Sequence, residues 1–163
     1  MKKLLIIGAG QYGAVAKEIA ESLHQFEEIS FLDDNHPKAI GHFNDYPKFI
    51  HEFDCAFVAI GNNELRLRLI DKLTECGYEV PALIHEKAYV SPSAKIGKGT
   101  IIEPMVVLHT EAEIGIGCII SAGTICNHNC RIGNGCHLNC GTIVASSVVV
   151  QSQTKTQYGS RII

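Results

Sequence analysis

The chain has 163 residues, 46% of them hydrophobic and 19% charged, with 14 basic against 17 acidic side chains and a formal charge of -3. That length holds one ordinary domain or two small ones and excludes a large multidomain enzyme, while the apolar share excludes a disordered chain. The charge balance offers no pull toward nucleic acid or an anionic membrane surface, and the longest apolar runs, such as residues 4–7 and 148–150, fall far short of the roughly 20 residues that cross a bilayer.

The first residues, Met1-Lys2-Lys3 and the apolar run behind them, resemble a signal peptide, but the run is too short and enters a glycine-rich turn, so residues 3–7 are expected to form a buried strand. Residues 12–23 place Tyr12, Val15, Ile19 and Leu23 at helical spacing, and residues 29–32 read as a second strand, which completes a βαβ unit. Between strand and helix lies Gly8-x-Gly10-x-x-Gly13, with Asp33 or Asp34 about 20 residues on. Such a turn aims helix N-terminal amides at a phosphate. A full dinucleotide site needs two βαβαβ halves, and the segment has room for about one, so an NAD-dependent oxidoreductase is disfavoured. A glycine turn kept for packing is the alternative. Residues 55–60 form a further buried strand closed by Gly61, and residues 64–74 carry Leu65, Leu69, Ile70 and Leu73 on one helical face. Residues 1–80 thus read as a small α/β domain with a parallel sheet.

From Ile84 onward the pattern repeats every six residues. Ile84, Val90, Ile96, Ile102, Leu108, Ile114, Ile120, Cys126, Ile132, Leu138, Val144, Val150, Thr156 and Ile162 follow one another at that step, and twelve of the 14 are Ile, Leu or Val. The residues four further on, from Ala88 to Ser160, are all small. This register predicts a three-sided coil over residues 84–163, with the aliphatic pointing inward, the small residue beside it, and three hexads per coil. Stacked at about 4.8 Å, thirteen hexads make a little over four coils. Gln151, Thr156 and Gln157 are read as breaking the repeat.

Seven cysteines in a chain without a secretion signal point to reduced thiols in a cytoplasm. Cys118, Cys130 and Cys136 fall on the small inward position and Cys126 on the bulky one, so these four are expected to fill the core. A metal site among Cys126, His128, Cys130, Cys136, His137 and Cys140 is disfavoured, because inward and outward side chains do not converge on one ion. His109, His128 and His137 likewise lack the close pair that a β-helical carbonic anhydrase shows. No metal is expected. His128, two residues beyond the inward Cys126, should leave the coil at a corner, where a neutral imidazole can serve as a general base. A solvated turn histidine is the alternative.

Ile96-Gly97-Lys98-Gly99-Thr100 and Ile132-Gly133-Asn134-Gly135-Cys136 resemble the hexapeptide repeat of left-handed β-helix acyltransferases. The left hand rests on that resemblance, since general crossover physics favours the right. The whole chain, through Ile7-Gly8-Ala9-Gly10-Gln11-Tyr12-Gly13, Phe31-Leu32-Asp33-Asp34, Val58-Ala59-Ile60-Gly61-Asn62-Asn63 and residues 84–94, resembles the bacterial sugar acetyltransferases of the sialic acid O-acetyltransferase and UDP-4-amino-sugar N-acetyltransferase type. The resemblance implies a Rossmann-like half domain that binds a nucleotide-sugar, UDP-linked, followed by a trimeric left-handed β-helix that uses acetyl-CoA, in the cytoplasm.

By the same resemblance Gly8, Gly10, Gly13, Asp33, Asp34 and Asn62 bind the nucleotide-sugar. His128 is the general base, the residue at Asn129 orients it, His137 lines the acetyl-CoA pocket, and the Ser146 amide, 18 residues after His128, holds the oxyanion. Three positions depart from the family. Asn129 replaces an acidic residue, Ser146 replaces glycine, and the chain stops at Ile163 without further coils that help form the CoA groove. Loss of an orienting carboxylate costs about 10⁴ in rate in the serine protease triad, so weakened chemistry is expected. The alternative function is a nucleotide-sugar-binding or assembly protein of the same fold without transferase activity.

Overall fold

The computed structural model describes residues 1–163 and divides into two units, Met1–Pro81 and Ala82–Ile163. In the first, the uninterrupted apolar runs 4–7 and 55–58 become strands buried on both faces, as the centre of a parallel sheet flanked by helices requires. Strands β1 (Lys2–Ile7), β2 (Phe26–Leu32), β3 (Ala39–Gly41) and β4 (Cys55–Val58) form an all-parallel sheet in the order β3-β2-β1-β4. Leu4 to Ile7 and Cys55 to Val58 are fully buried. The short β3 and a 3-10 turn at Tyr46–Phe49 carry no periodic pattern, and the sequence reading has neither.

Helix α1 (Gln11–Ser22) connects β1 to β2, but its inner face differs from the expected one. It buries Gly13, Ala16, Ile19 and Ala20, while Val15 is 36% exposed and Tyr12 and Leu23 are only half-buried. Small residues win because the helix enters the sheet closely: a Cβ on Gly13 would lie 2.3 Å from the Gly8 carbonyl oxygen. Helix α2 (Asn63–Cys76) buries Leu69, Ile70 and Leu73 as expected, yet Leu65 is half-buried and Arg66 takes an inner place. That guanidinium is satisfied locally, donating to the Ile60 carbonyl at 2.8 Å and to Asn63 Oδ1 at 2.7 Å. Gly77, with φ +102°, closes the helix in the left-handed conformation.

The second unit is a coil with three parallel walls. One wall stacks β5 (Leu83–Ile84), β8 (Ile101–Ile102), β11 (Ile119–Ile120) and β14 (His137–Leu138). The next stacks β6 (Tyr89–Val90), β9 (Val107–Leu108), β12 (Ile125–Cys126), β15 (Ile143–Val144) and β17 (Arg161–Ile162), and the third β7 (Lys95–Ile96), β10 (Glu113–Ile114), β13 (Arg131–Ile132) and β16 (Val149–Val150). Every paired residue is 18 positions from its partner, so Ile96, Ile114, Ile132 and Val150 line up along one wall. The inward aliphatics and the small residues beside them form one continuous core.

Cys118, Cys126, Cys130 and Cys136 are all fully buried within it. The Cys118 and Cys136 thiols donate to the carbonyls of Gly133 and Gln151, both at 3.1 Å. Thr156 does not break the coil, contrary to expectation. It keeps the inward position at 9% exposure, and its hydroxyl is paired with Thr142 Oγ1 at 2.9 Å and accepts from the Asn139 N–H at 2.9 Å. A polar residue is tolerated inside because its hydroxyl is satisfied.

The three corners differ. Left-handed backbone recurs every sixth residue from Gly99 to Gly159. One corner uses Gly99, Gly117, Gly135 and Gln153, another Met105, Gly123, Gly141 and Gly159, and the third Glu111, Asn129 and Ser147. Elsewhere in the turns, Gly97, Gly115 and Gly133 stack so closely that a Cβ on Gly115 would lie 2.5 Å from Asn134 Oδ1 and 2.8 Å from the Asn134 backbone nitrogen. Gly115→Ala should therefore force adjacent coils apart and lower stability by about 1–3 kcal/mol, read as a fall in the urea midpoint.

Candidate active site

In the glycine loop the three glycines have separate physical duties. Gly8 adopts φ +100°, and a Cβ there would meet the Ala59 carbonyl oxygen at 2.9 Å; Gly13 is closed to any side chain by Gly8. A Cβ on Gly10 meets nothing within 4 Å. Gly10 is the N-cap of α1, which carries no side-chain cap and no acidic residue in its first turn, so the open side of this turn suits an anion.

Asp33 and Asp34 are not equivalent. Asp33 Oδ2 accepts from the Ala9 N–H at 2.9 Å, and Oδ1 accepts from the Asn35 and His36 N–H groups at 2.9 and 3.0 Å. These amides, Ala9 first, hold its carboxyl below the usual carboxylate range against the opposing effect of partial burial. Asp33 thus ties the loop to the end of β2. Asp34 is exposed and accepts from the Phe43 N–H at 2.9 Å. Asn62 caps α2, its Oδ1 accepting from the Leu65 N–H at 2.8 Å, which leaves the Nδ2 hydrogens to donate to a ligand.

On the coil, His128 is exposed at the glycine-free corner. Its Nδ1 lies 3.0 Å from Asn129 Oδ1, and Asn129 Nδ2 donates to Glu111 Oε2 at 2.6 Å. The His109 ring stands edge-on to the His128 ring, with centroids 6.0 Å apart. Glu111 is not singled out by the sequence alone, and His109 is weighed there only as a metal ligand. The signal that finds them is the coil step: subtracting 18 from Asn129 gives Glu111, and His109 lies one further residue back from His128.

One coil beyond His128, Ser147 donates its N–H to the His128 carbonyl at 3.0 Å, and Ala145 donates to Ile162. Ser146 lies between them. At equivalent positions the preceding side chain accepts the amide: His109 Nδ1 from Thr110 N–H and Asn127 Oδ1 from His128 N–H, both at 2.8 Å. Ala145 offers no acceptor, so the Ser146 N–H stays available. His137 is half-buried on β14, and its N–H donates to the Thr154 carbonyl at 2.8 Å. Its ladder neighbour Lys155 lines a hollow of about 490 Å³ with Asn139, Thr156, Gln157 and Tyr158. No group of three or more His, Cys, Asp or Glu side chains converges to hold a metal ion.

Residues 3–73 match the PglD N-terminal domain family. UDP-N-acetylbacillosamine N-acetyltransferase of Bacillus subtilis (strain 168) is 34% identical over 111 residues, 63% of this chain and 51% of that protein, so the chain spans about half the length of that curated relative. The acetyltransferase domain of PglB from Neisseria gonorrhoeae FA1090 superposes with a TM-score of 0.88 at 26% identity, over 100% of this chain and 92% of that one. The same domain in complex with acetyl coenzyme A gives 0.82 at 26% identity, over 99% and 92% of the two chains. PerB from Caulobacter crescentus, in complex with CoA and GDP-perosamine, gives 0.85 at 25% identity, over 100% and 89%. These matches bear out the sugar acetyltransferase resemblance.

The Asp33 latch has a pH signature. Because its carboxyl titrates below the unfolded value of about 3.9, the stabilisation is complete above that value and is lost as pH falls through the folded one. Asp33→Asn should lower stability at pH 7 by about 1–3 kcal/mol. The difference from wild type should shrink below about pH 4, measured by urea unfolding across pH.

Proposed function

We propose that this chain is a sugar acetyltransferase of the sialic acid O-acetyltransferase and UDP-4-amino-sugar N-acetyltransferase type, and that it transfers an acetyl group from acetyl-CoA to the amino group of a nucleotide-linked sugar. The observation that carries the reading is the corner itself: an exposed His128 whose Nδ1 faces the Asn129 amide oxygen, with the available Ser146 N–H one coil beyond. His128 Nε2 takes the amine proton as the nitrogen–carbon bond forms at the thioester carbonyl. The Ser146 N–H holds the developing oxyanion, a donor of a kind that contributes about 3–4 kcal/mol. When the carbon–sulfur bond breaks, His128 returns the proton to the departing sulfur.

The remaining assignments follow the same family. The α/β unit is a Rossmann-like half domain for the nucleotide-sugar, with the open face of Gly10 at a phosphate, Asp34 at the nucleoside and a uridine diphosphate carrier. Asp33 shapes the loop, and Asn62 reaches the ligand through Nδ2. The coil is a left-handed β-helix. The hollow beside His137 fits the cofactor, since Lys155 can meet its phosphates and the ring of Tyr158, 77% exposed, can meet its apolar parts. The nitrogen acceptor is favoured by the Bacillus subtilis relative, which is named for N-acetylation. A cytoplasmic setting suits the seven free thiols.

We assign a homotrimer on the family and on the outer face of one wall, where Tyr89, Val107, Ile125 and Ile143 stack with Tyr89, Ile125 and Ile143 58%, 39% and 40% exposed. Two experiments test these assignments. CoA release should require both acetyl-CoA and a nucleotide-linked amino sugar, and His128→Ala should cut it by about 10²–10⁴-fold, the contribution of a general base; undiminished turnover overturns the base. Ile125→Asp should lower the solution mass from three chains toward one in light scattering, and an unchanged mass overturns the apolar interface.

A further inference from the structure

We propose that Glu111 is a positioning residue for this site, locking His128 through the Asn129 amide in the tautomer that leaves Nε2 unprotonated. The proposal rests on His128 being the base.

A carboxylate only accepts hydrogen bonds. Asn129 must therefore turn its Nδ2 toward Glu111 Oε2, 2.6 Å away, because the flipped amide would set two acceptor oxygens against each other. With Nδ2 so committed, the atom that faces His128 Nδ1 at 3.0 Å is Oδ1, again an acceptor. Nδ1 must then carry the hydrogen. In the neutral ring the lone pair falls to Nε2, the nitrogen directed away from this chain of bonds. Glu111 thus restores, one coil away, the direction that an adjacent acid would impose.

Two further observations set Glu111 apart from an ordinary surface carboxylate. The ion pairs of the neighbouring groove, about 480 Å³ and lined by Ser93, Lys95, Glu111, Glu113, Asn129 and Arg131, all run to Glu113, which meets Lys95 at 3.2 Å and Arg131 at 3.7 Å. Glu111 instead meets Asn129. The backbone also bears a cost to place it there. Glu111 and Asn129 have φ +57° and +59° on a corner with no glycine, whereas the other two corners use glycine at six of eight such positions. The Glu111 N–H is held by Ser93 Oγ at 3.0 Å, which fixes the turn from the coil behind.

The test is Glu111→Gln, whose amide can offer either an oxygen or an NH2 to Asn129 and so releases the lock. We expect kcat to fall about 10- to 100-fold, within what a general base supplies, with KM for acetyl-CoA and for the nucleotide-sugar unchanged. Nitrogen-15 spectra of the histidine rings should show His128 as the Nδ1–H tautomer in wild type and as a mixture in Glu111→Gln. Asn129→Asp introduced into Glu111→Gln places a carboxylate directly on Nδ1, and should restore both tautomer and kcat. An unchanged tautomer and kcat in Glu111→Gln, with His128→Ala inactive, overturns the proposal. So does a loss accompanied by a lower melting temperature that Asn129→Asp leaves unrepaired. If His128→Ala keeps wild-type turnover, the base assignment fails instead, and the ring spectra still decide whether Glu111 sets the tautomer.

Discussion

The second unit depends on one closure condition: the chain returns to the same wall after 18 residues, with an inward side chain at every sixth. The strands are two residues long and could not hold a sheet by themselves. What holds them is the shared core, in which each aliphatic rests on the one above and below, as Ile102, Ile120 and Leu138 do on one wall. The closure also decides which surface residues become neighbours. Residues separated by one coil touch as reliably as residues adjacent in sequence, and Asn129 and Glu111 meet for that reason alone.

How much of this was legible in the sequence follows from the same rule. The inward register was readable residue by residue, because burial in a coil leaves a composition trace at a fixed step; even the cysteines announce their places. Thr156 was misread as a break because composition does not show that a hydroxyl will find Thr142. In the α/β unit the buried strands were readable as apolar runs. The α1 face was not, since close approach to the sheet rewards Gly13, Ala16 and Ala20 over the larger Val15. Arg66 was invisible for a related reason: its burial depends on the Ile60 carbonyl and Asn63, which only the folded turn brings to it.

The candidate site divides in the same way. His128 could be placed at a corner from its offset to Cys126, and the available Ser146 amide lies on the coil beyond. Asn129 stood out as a missing acid, but Glu111 lies among exposed polar residues with no local mark, so only the 18-residue coil step points to it as the partner. The corner also shows a division of labour. Glycine serves six of the eight left-handed positions on two corners, and side-chain-bearing residues hold all three on the corner that carries the candidate site. Asparagine is the residue best able to hold that conformation while presenting an amide.

The uniform spacing of contacts along the coil has a kinetic meaning. Each layer touches only the layers on either side, so the column is quasi-one-dimensional and its cooperativity passes from neighbour to neighbour, as in solenoid repeats. Such an object opens locally, layer by layer, rather than all at once. His109 and Glu111 sit on one layer and His128 and Asn129 on the next, so opening either layer parts Glu111 from Asn129.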